Sequence, residues 1–196
     1  MNLMKAVPAS IVTSVEPADT ERAVAILFRA FSADPMARWM YPVEAQYRTF
    51  FPAFVRAFGG CAFALGTARH VENHAGVALW LPPGVEPDHA VIGACLPAGR
   101  ETEIAAVFEE MACCQPGETH WYLPLIRVDP AHQREGRGAT LLQDTLCQCD
   151  RDHVAAYLES ANPANITLYQ RHGFELRATI QVGSAPPLFP MLRAAR

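Results

Sequence analysis

"VDPAHQREGRGATLL", residues 128–142, sets Gly136 and Gly138 two positions apart at the mouth of an apolar helical pattern. Glycine tolerates positive φ and has no Cβ to block a close backbone approach. Beyond the pair, Leu142, Leu146 and Cys149 recur at helical spacing and predict a helix over 138–150. The first amides of such a helix have no internal partner, and its dipole favours negative charge there. Upstream, HWYLPLIRV (120–128) is a run of strand formers with Pro124 in its middle. Proline has no N–H to donate, so it belongs at an edge or a bulge, and an irregular strand leaves backbone groups free for another partner. Strand, glycine turn and helix N-terminus together make an anion cradle suited to phosphate, with Arg134 and Arg137 adding positive charge at its rim.

Two phosphate-binding patterns do not fit. No Gly-Lys-Ser/Thr follows the glycines, which excludes a Walker loop. Glu159 ends the next predicted strand, 21 residues after Gly138, as a dinucleotide site would require. Leu141, however, stands where the third glycine belongs, and too little chain follows for a second half-sheet.

The chain of 196 residues is 51% hydrophobic and 18% charged, with a net charge of −4, which fits one ordinary globular domain over 1–196. The slight acidity gives no footprint for nucleic acid. No stretch approaches the roughly 20 apolar residues of a membrane span, and the first residues lack a secretory apolar core. A cytoplasmic protein is expected. The six cysteines contain no C-x-x-C and the seven histidines no H-E-x-x-H; no metal site is expected, and the cysteines read as reduced core residues.

Along the chain, Asp19-Thr20 precedes a helix whose apolar face holds Val24, Leu27, Phe28 and Phe31. Further helices are predicted around Pro35, over 43–58 with Pro52 bending it and Gly59-Gly60 ending it, and over 101–114. CAFAL (61–65) and GVALWL (76–81) read as strands. After the glycine loop come a strand (154–159), a short helix (163–172) capped by Asn162 and stopped at Gly173, a strand (174–182) and a last strand (188–193). Helices and strands alternate without repeats, a mixed α/β layer structure.

With Val128-Asp129-Pro130 leading into Gln133-Arg134-Glu135-Gly136-Arg137-Gly138, and Leu168-Tyr169 followed by Arg171-His172-Gly173-Phe174, the chain resembles the GNAT-type N-acetyltransferases. These segments match that family's Q/R-x-x-G-x-G/A and L-Y-x-x-x-G-F motifs, in order, over a cofactor core at 120–176. The pattern is most similar to small-molecule acetyltransferases of the puromycin N-acetyltransferase type. The resemblance implies a central twisted mixed sheet with helices on both faces, and acetyl-CoA or another short acyl-CoA as cofactor. Backbone groups of Ile126, Arg127 and Val128 would pair with the pantetheine arm. Amides of Arg134, Glu135, Gly136, Arg137, Gly138 and Ala139 would hold the pyrophosphate, and Asn162 or Asn165 would touch the arm. Arg127 would project towards the acceptor or into solvent.

The resemblance also implies direct attack of an amine on the thioester. Glu159 is the candidate base and Tyr169 the candidate acid towards the sulfur, with a free N–H near Ile126 or Val128 for the oxyanion. Ten of the eighteen aromatic residues fall within 28–63. Those that face the cleft, Trp39 among them, would with Trp80, Trp121 and Tyr122 favour an acceptor with an apolar body; Asp34 and Glu44 would attract its ammonium. The expected partner is a small-molecule amine, with a peptide amine second. A non-catalytic acyl-CoA-binding module and a nucleotide-binding regulatory domain are the rivals, and homodimer formation stays open.

Overall fold

The computed structural model describes residues 11–72 and 74–196. Seven strands make one sheet: β1 (Val12–Ser14), β2 (Ala68–Val71), β3 (Gly76–Leu81), β4 (His120–Val128), β5 (Ala155–Ser160), β6 (Glu175–Leu176) and β7 (Phe189–Arg193). Their spatial order is β1-β2-β3-β4-β5-β7-β6, and every adjacent pair is antiparallel except β4 and β5. The helices are α1 (Thr20–Ala30), α2 (Pro35–Met40), α3 (Glu44–Gly59), α4 (Cys61–Ala64), α5 (His89–Ala94), α6 (Glu101–Cys114), α7 (Arg137–Asp152) and α8 (Ile166–Arg171).

Strand alternation divides the apolar residues into two layers. On β3, Val77, Leu79 and Leu81 join Leu27, Phe51 and Ile104 from α1, α3 and α6. Ala78 and Trp80 point the other way, into a layer with Leu142, Leu146 and Cys149 of α7 and Tyr169 of α8. Side chains two apart share a face and neighbours oppose, so the sheet carries helices on both sides.

The irregularity expected at Pro124 is a bulge. Leu79 faces Leu125 and Leu81 faces Tyr122, so Trp80 alone spans Leu123 and Pro124. Gly59 packs onto this bulge. A Cβ there would meet Leu79 Cδ1 at 3.0 Å and Pro124 Cγ at 3.3 Å, so its small size lets α3 lie close to the sheet.

On its other side β4 pairs with β5 only from His120 to Tyr122, against Ala155 to Tyr157. Past that point β5 stays bound to β7 as far as Ser160, and β4 continues alone along this edge. The parallel pair therefore opens into a V.

Several expected elements differ. CAFAL is helical, not a strand, because Gly60 keeps right-handed torsion angles (φ −69°, ψ −20°) and the chain turns away only at Gly66, φ +67°. The strand expected over 174–182 is confined to Glu175–Leu176 plus a lone bridge between Ile180 and Leu188. The helix expected over 163–172 begins as a 3-10 turn at Pro163–Asn165. Pro52 lies inside an uninterrupted α3. Only Cys95 and Cys149 are buried; Cys61, Cys113 and Cys147 are exposed. No described helix is long and apolar enough to cross a membrane.

Candidate active site

The loop between β4 and α7 carries the features of an anion cradle. Gly136 caps α7 in the left-handed region at φ +82°, and Arg134 also has positive φ, +63°. Among the described residues, none of the amides from Arg134 to Ala139 donates to a protein acceptor. Six consecutive free donors at the start of a 16-residue helix fit a diphosphate. Gly138 is less constrained: an added Cβ would meet Leu168 and Val128 at an ordinary 3.8 Å.

A cleft enclosing about 910 Å³, its open mouth included, lies where β4 and β5 part. Leu123 to Arg127 form one wall and Glu159 to Asn162 the other, with Asn165 and Tyr169 beside them. One end of the cleft is apolar: Phe31, Met36, Trp39, Phe51, Phe54 and Phe58 from the first three helices and their ends, and Ile104, Phe108 and Met111 from α6.

Four ionisable side chains meet this cleft. Asp34 and Arg127 form an ion pair in which the Asp34 carboxylate is 2% exposed. Asp34 Oδ1 also accepts from the amides of Met36 and Ala37, at 3.0 and 3.1 Å, capping α2. The Arg127 guanidinium sits 4.3 Å from the Phe31 ring centroid. Glu159 Oε2 accepts a 2.8 Å hydrogen bond from the Tyr122 hydroxyl, while Oε1 is buried without a hydrogen-bond partner. Burial pushes the Glu159 carboxyl up to about 7, against the opposing pull of the Tyr122 hydroxyl. Burial likewise pushes the Tyr169 phenol up to about 12, with Arg127 pulling the other way. Tyr169 packs edge-on against Phe174, their centroids 6.0 Å apart.

Residues 92–176 match the model of the acetyltransferase (GNAT) domain. An uncharacterized N-acetyltransferase of Schizosaccharomyces pombe is 24% identical over 184 residues, covering 85% of this chain and 74% of that protein. The crystal structure titled as a histone acetyltransferase HPA2 and related acetyltransferase, from Corynebacterium glutamicum, superposes with a TM-score of 0.69 and 22% identity, over 96% and 97% of the two chains. Arylalkylamine N-acetyltransferase 2 from Aedes aegypti gives 0.68 at 11% identity, over 95% and 99%. The chain is thus similar to GNAT-type acetyltransferases over residues 92–176 and shares their fold.

The residues picked out in the sequence distribute unevenly. Ile126, Arg127, Asn162, Asn165, Glu159, Tyr169, Asp34 and Trp39 all line one cleft. Trp80 does not: its position on β3 turns it into the opposite layer, where it is fully buried. Tyr122 is buried in the first core layer and reaches the cleft only through Glu159. Asp34, paired and capping, is not a free anchor for an ammonium. Glu44 is bound to Arg38 and Arg48 at the surface. Arg137 does not offer its charge at the rim of the loop, because it pairs with Glu72 and Glu135. Arg127 points neither freely at the acceptor nor into solvent; Asp34 holds it.

The α6 contribution was legible only as an apolar stripe, Ile104, Phe108 and Met111, which looks the same whether it lines a core or a cleft. Asn162 Oδ1 caps the turn after β5 by accepting from the Ala164 amide at 3.0 Å. The Asn165 side chain has no hydrogen bond to a described residue.

Proposed function

We propose that this chain is a GNAT-type enzyme that transfers an acetyl or similarly short acyl group from acyl-CoA to the primary amine of a small molecule with an apolar body. One juxtaposition carries the reading: Glu159, with one free carboxylate oxygen and a near-neutral pKa, and Tyr169 line the same aromatic cleft, beside the open edge of β4. The free amides at 134–139 supply the grip on the pyrophosphate. Asn165, whose amide is uncommitted, is the better contact for the cofactor arm than Asn162, whose oxygen is used as a cap.

Acyl-CoA, as second substrate, supplies a thioester whose carbon–sulfur bond breaks as the carbon–nitrogen bond forms, releasing the thiol. Glu159 takes a proton from the amine, which a carboxylate of pKa about 7 does at neutral pH far better than an exposed one of ordinary value. Backbone N–H groups of β4 beyond the bulge, near Ile126 and Val128, stabilise the developing oxyanion. Tyr169 stays protonated across the working pH range and donates to the departing sulfur.

The apolar end, in which the two innermost charges neutralise each other, suits an uncharged hydrocarbon or aromatic body attached to the amine. The shared fold with an arylalkylamine N-acetyltransferase is consistent with such an acceptor. A cytoplasmic setting belongs to the same proposal. Thiol release from acetyl-CoA, measured over a panel of phenylalkyl amines, polyamines and peptides with free N-termini, tests it. The apolar monoamines should be preferred. Preference for peptides would replace the acceptor assignment, and coenzyme A binding without thiol release from any amine would overturn the catalytic reading.

A further inference from the structure

Glu159 ends β5 between two tyrosines from the two strands that part at the cleft. Tyr122, on the last paired rung of β4, donates to Oε2 at 2.8 Å. Tyr157 sits directly across from it in the β4–β5 ladder, ring centroids 6.0 Å apart, and its hydroxyl has no hydrogen-bond partner. It lies near enough to favour the charged carboxylate without meeting hydrogen-bond geometry. Glu159 Oε1 is likewise buried and unpartnered. These two buried polar atoms are neighbours available to one another.

Resting on the assignment of Glu159 as base, we propose that Tyr122 and Tyr157 are positioning residues that orient the Glu159 carboxylate. Tyr122 holds Oε2 and so leaves Oε1 as the atom that takes the amine's proton. Tyr157, beside it, keeps Oε1 aimed into the cleft. The proton leaves nitrogen and ends on Oε1. Among the described residues, the other titratable group acting on this cluster is the Cys114 thiol of α6, which burial chiefly pushes up. His120 packs edge-on to Tyr157 at 5.6 Å. Across the cleft Arg127 is already paired with Asp34.

The test compares Tyr122→Phe and Tyr157→Phe with the parent enzyme and Glu159→Gln. Both changes delete only a hydroxyl, so the rings keep their packing. The Glu159 carboxyl is followed by carbon NMR of glutamate-labelled protein, its signal identified by loss in Glu159→Gln, alongside kcat/KM against pH with acetyl-CoA and phenethylamine.

Loss of the Tyr122 donor disfavours the charged carboxylate. Its titration and the acidic limb of the rate profile should both move to higher pH, lowering the rate at pH 6 about threefold with little change at pH 9. Site-specific 3-fluorotyrosine at 122, a stronger donor, should move both the opposite way. Tyr157→Phe should lower kcat at every pH with a smaller change in the titration. An unmoved NMR titration in both Tyr122 variants overturns the positioning role. A titration that moves while Glu159→Gln keeps full activity overturns the base assignment and leaves the contact standing.

Discussion

Glu159 carries two consequences that separate cleanly. Its carboxyl is raised to about 7 from 4.5, so the folded state holds the proton more tightly than the unfolded chain. The resulting stabilisation is fully present below about pH 4.5 and is lost as pH rises through about 7. Glu159→Gln, neutral throughout, should therefore melt higher than the parent at pH 8 to 9 and close to it at pH 4, read by thermal denaturation across pH. The same change should cost on the order of 100-fold in kcat and remove the acidic limb of the rate profile. Tyr169→Phe should lower kcat by a similar order while leaving KM for acetyl-CoA within about twofold, since its hydroxyl matters when the sulfur departs. Unchanged turnover would take Tyr169 out of the mechanism. At this scale the sequence singled out Tyr169 by its motif and Glu159 by its place at a strand end, and both line the cleft. It did not reveal that Asp34 and Arg127 cancel, because residues 93 apart in the chain meet only through packing.

Between elements, the loop from β4 to α7 concentrates the proposed binding function in backbone, so its glycines are tested by torsion angle and not by side-chain chemistry. Gly136 at φ +82° should cost roughly 1–2 kcal/mol when replaced by alanine, and the strained loop should weaken acyl-CoA binding at the same time. Urea denaturation and titration with coenzyme A measure the two effects separately. Gly138→Ala should cost little in stability, as its added Cβ finds ordinary contacts. This loop and α7 were readable in advance because proline, glycine and helical periodicity are local signals. CAFAL misled for the matching reason: an apolar five-residue run has no period of its own, and the right-handed Gly60 carries the chain on as helix. The two-residue β6 and the four-residue β2 owe their existence to neighbouring strands and leave almost no local trace.

For the molecule as a whole, the proposed cofactor grip and the proposed reactive cleft are two ends of one opening between β4 and β5. Filling it should stabilise the entire fold. Acetyl-CoA at 100 times its dissociation constant should add about 2.7 kcal/mol, seen as a raised melting temperature, whereas ATP and NAD at the same concentration should give little shift. Equal stabilisation by NAD would point to a dinucleotide site. The sequence by itself determined the resemblance to GNAT-type acetyltransferases, the glycine loop and the strand-loop-helix core, since these rest on local backbone preferences and short spacings. Only the tertiary structure decided which charges remain available and which aromatic rings face the cleft. Trp80 is turned away by strand alternation, Tyr122 is drawn to Glu159 across two strands, and Arg127 is neutralised by a helix that packs beside it. Each outcome depends on a contact between distant segments, whose energy no local stretch of chain contains.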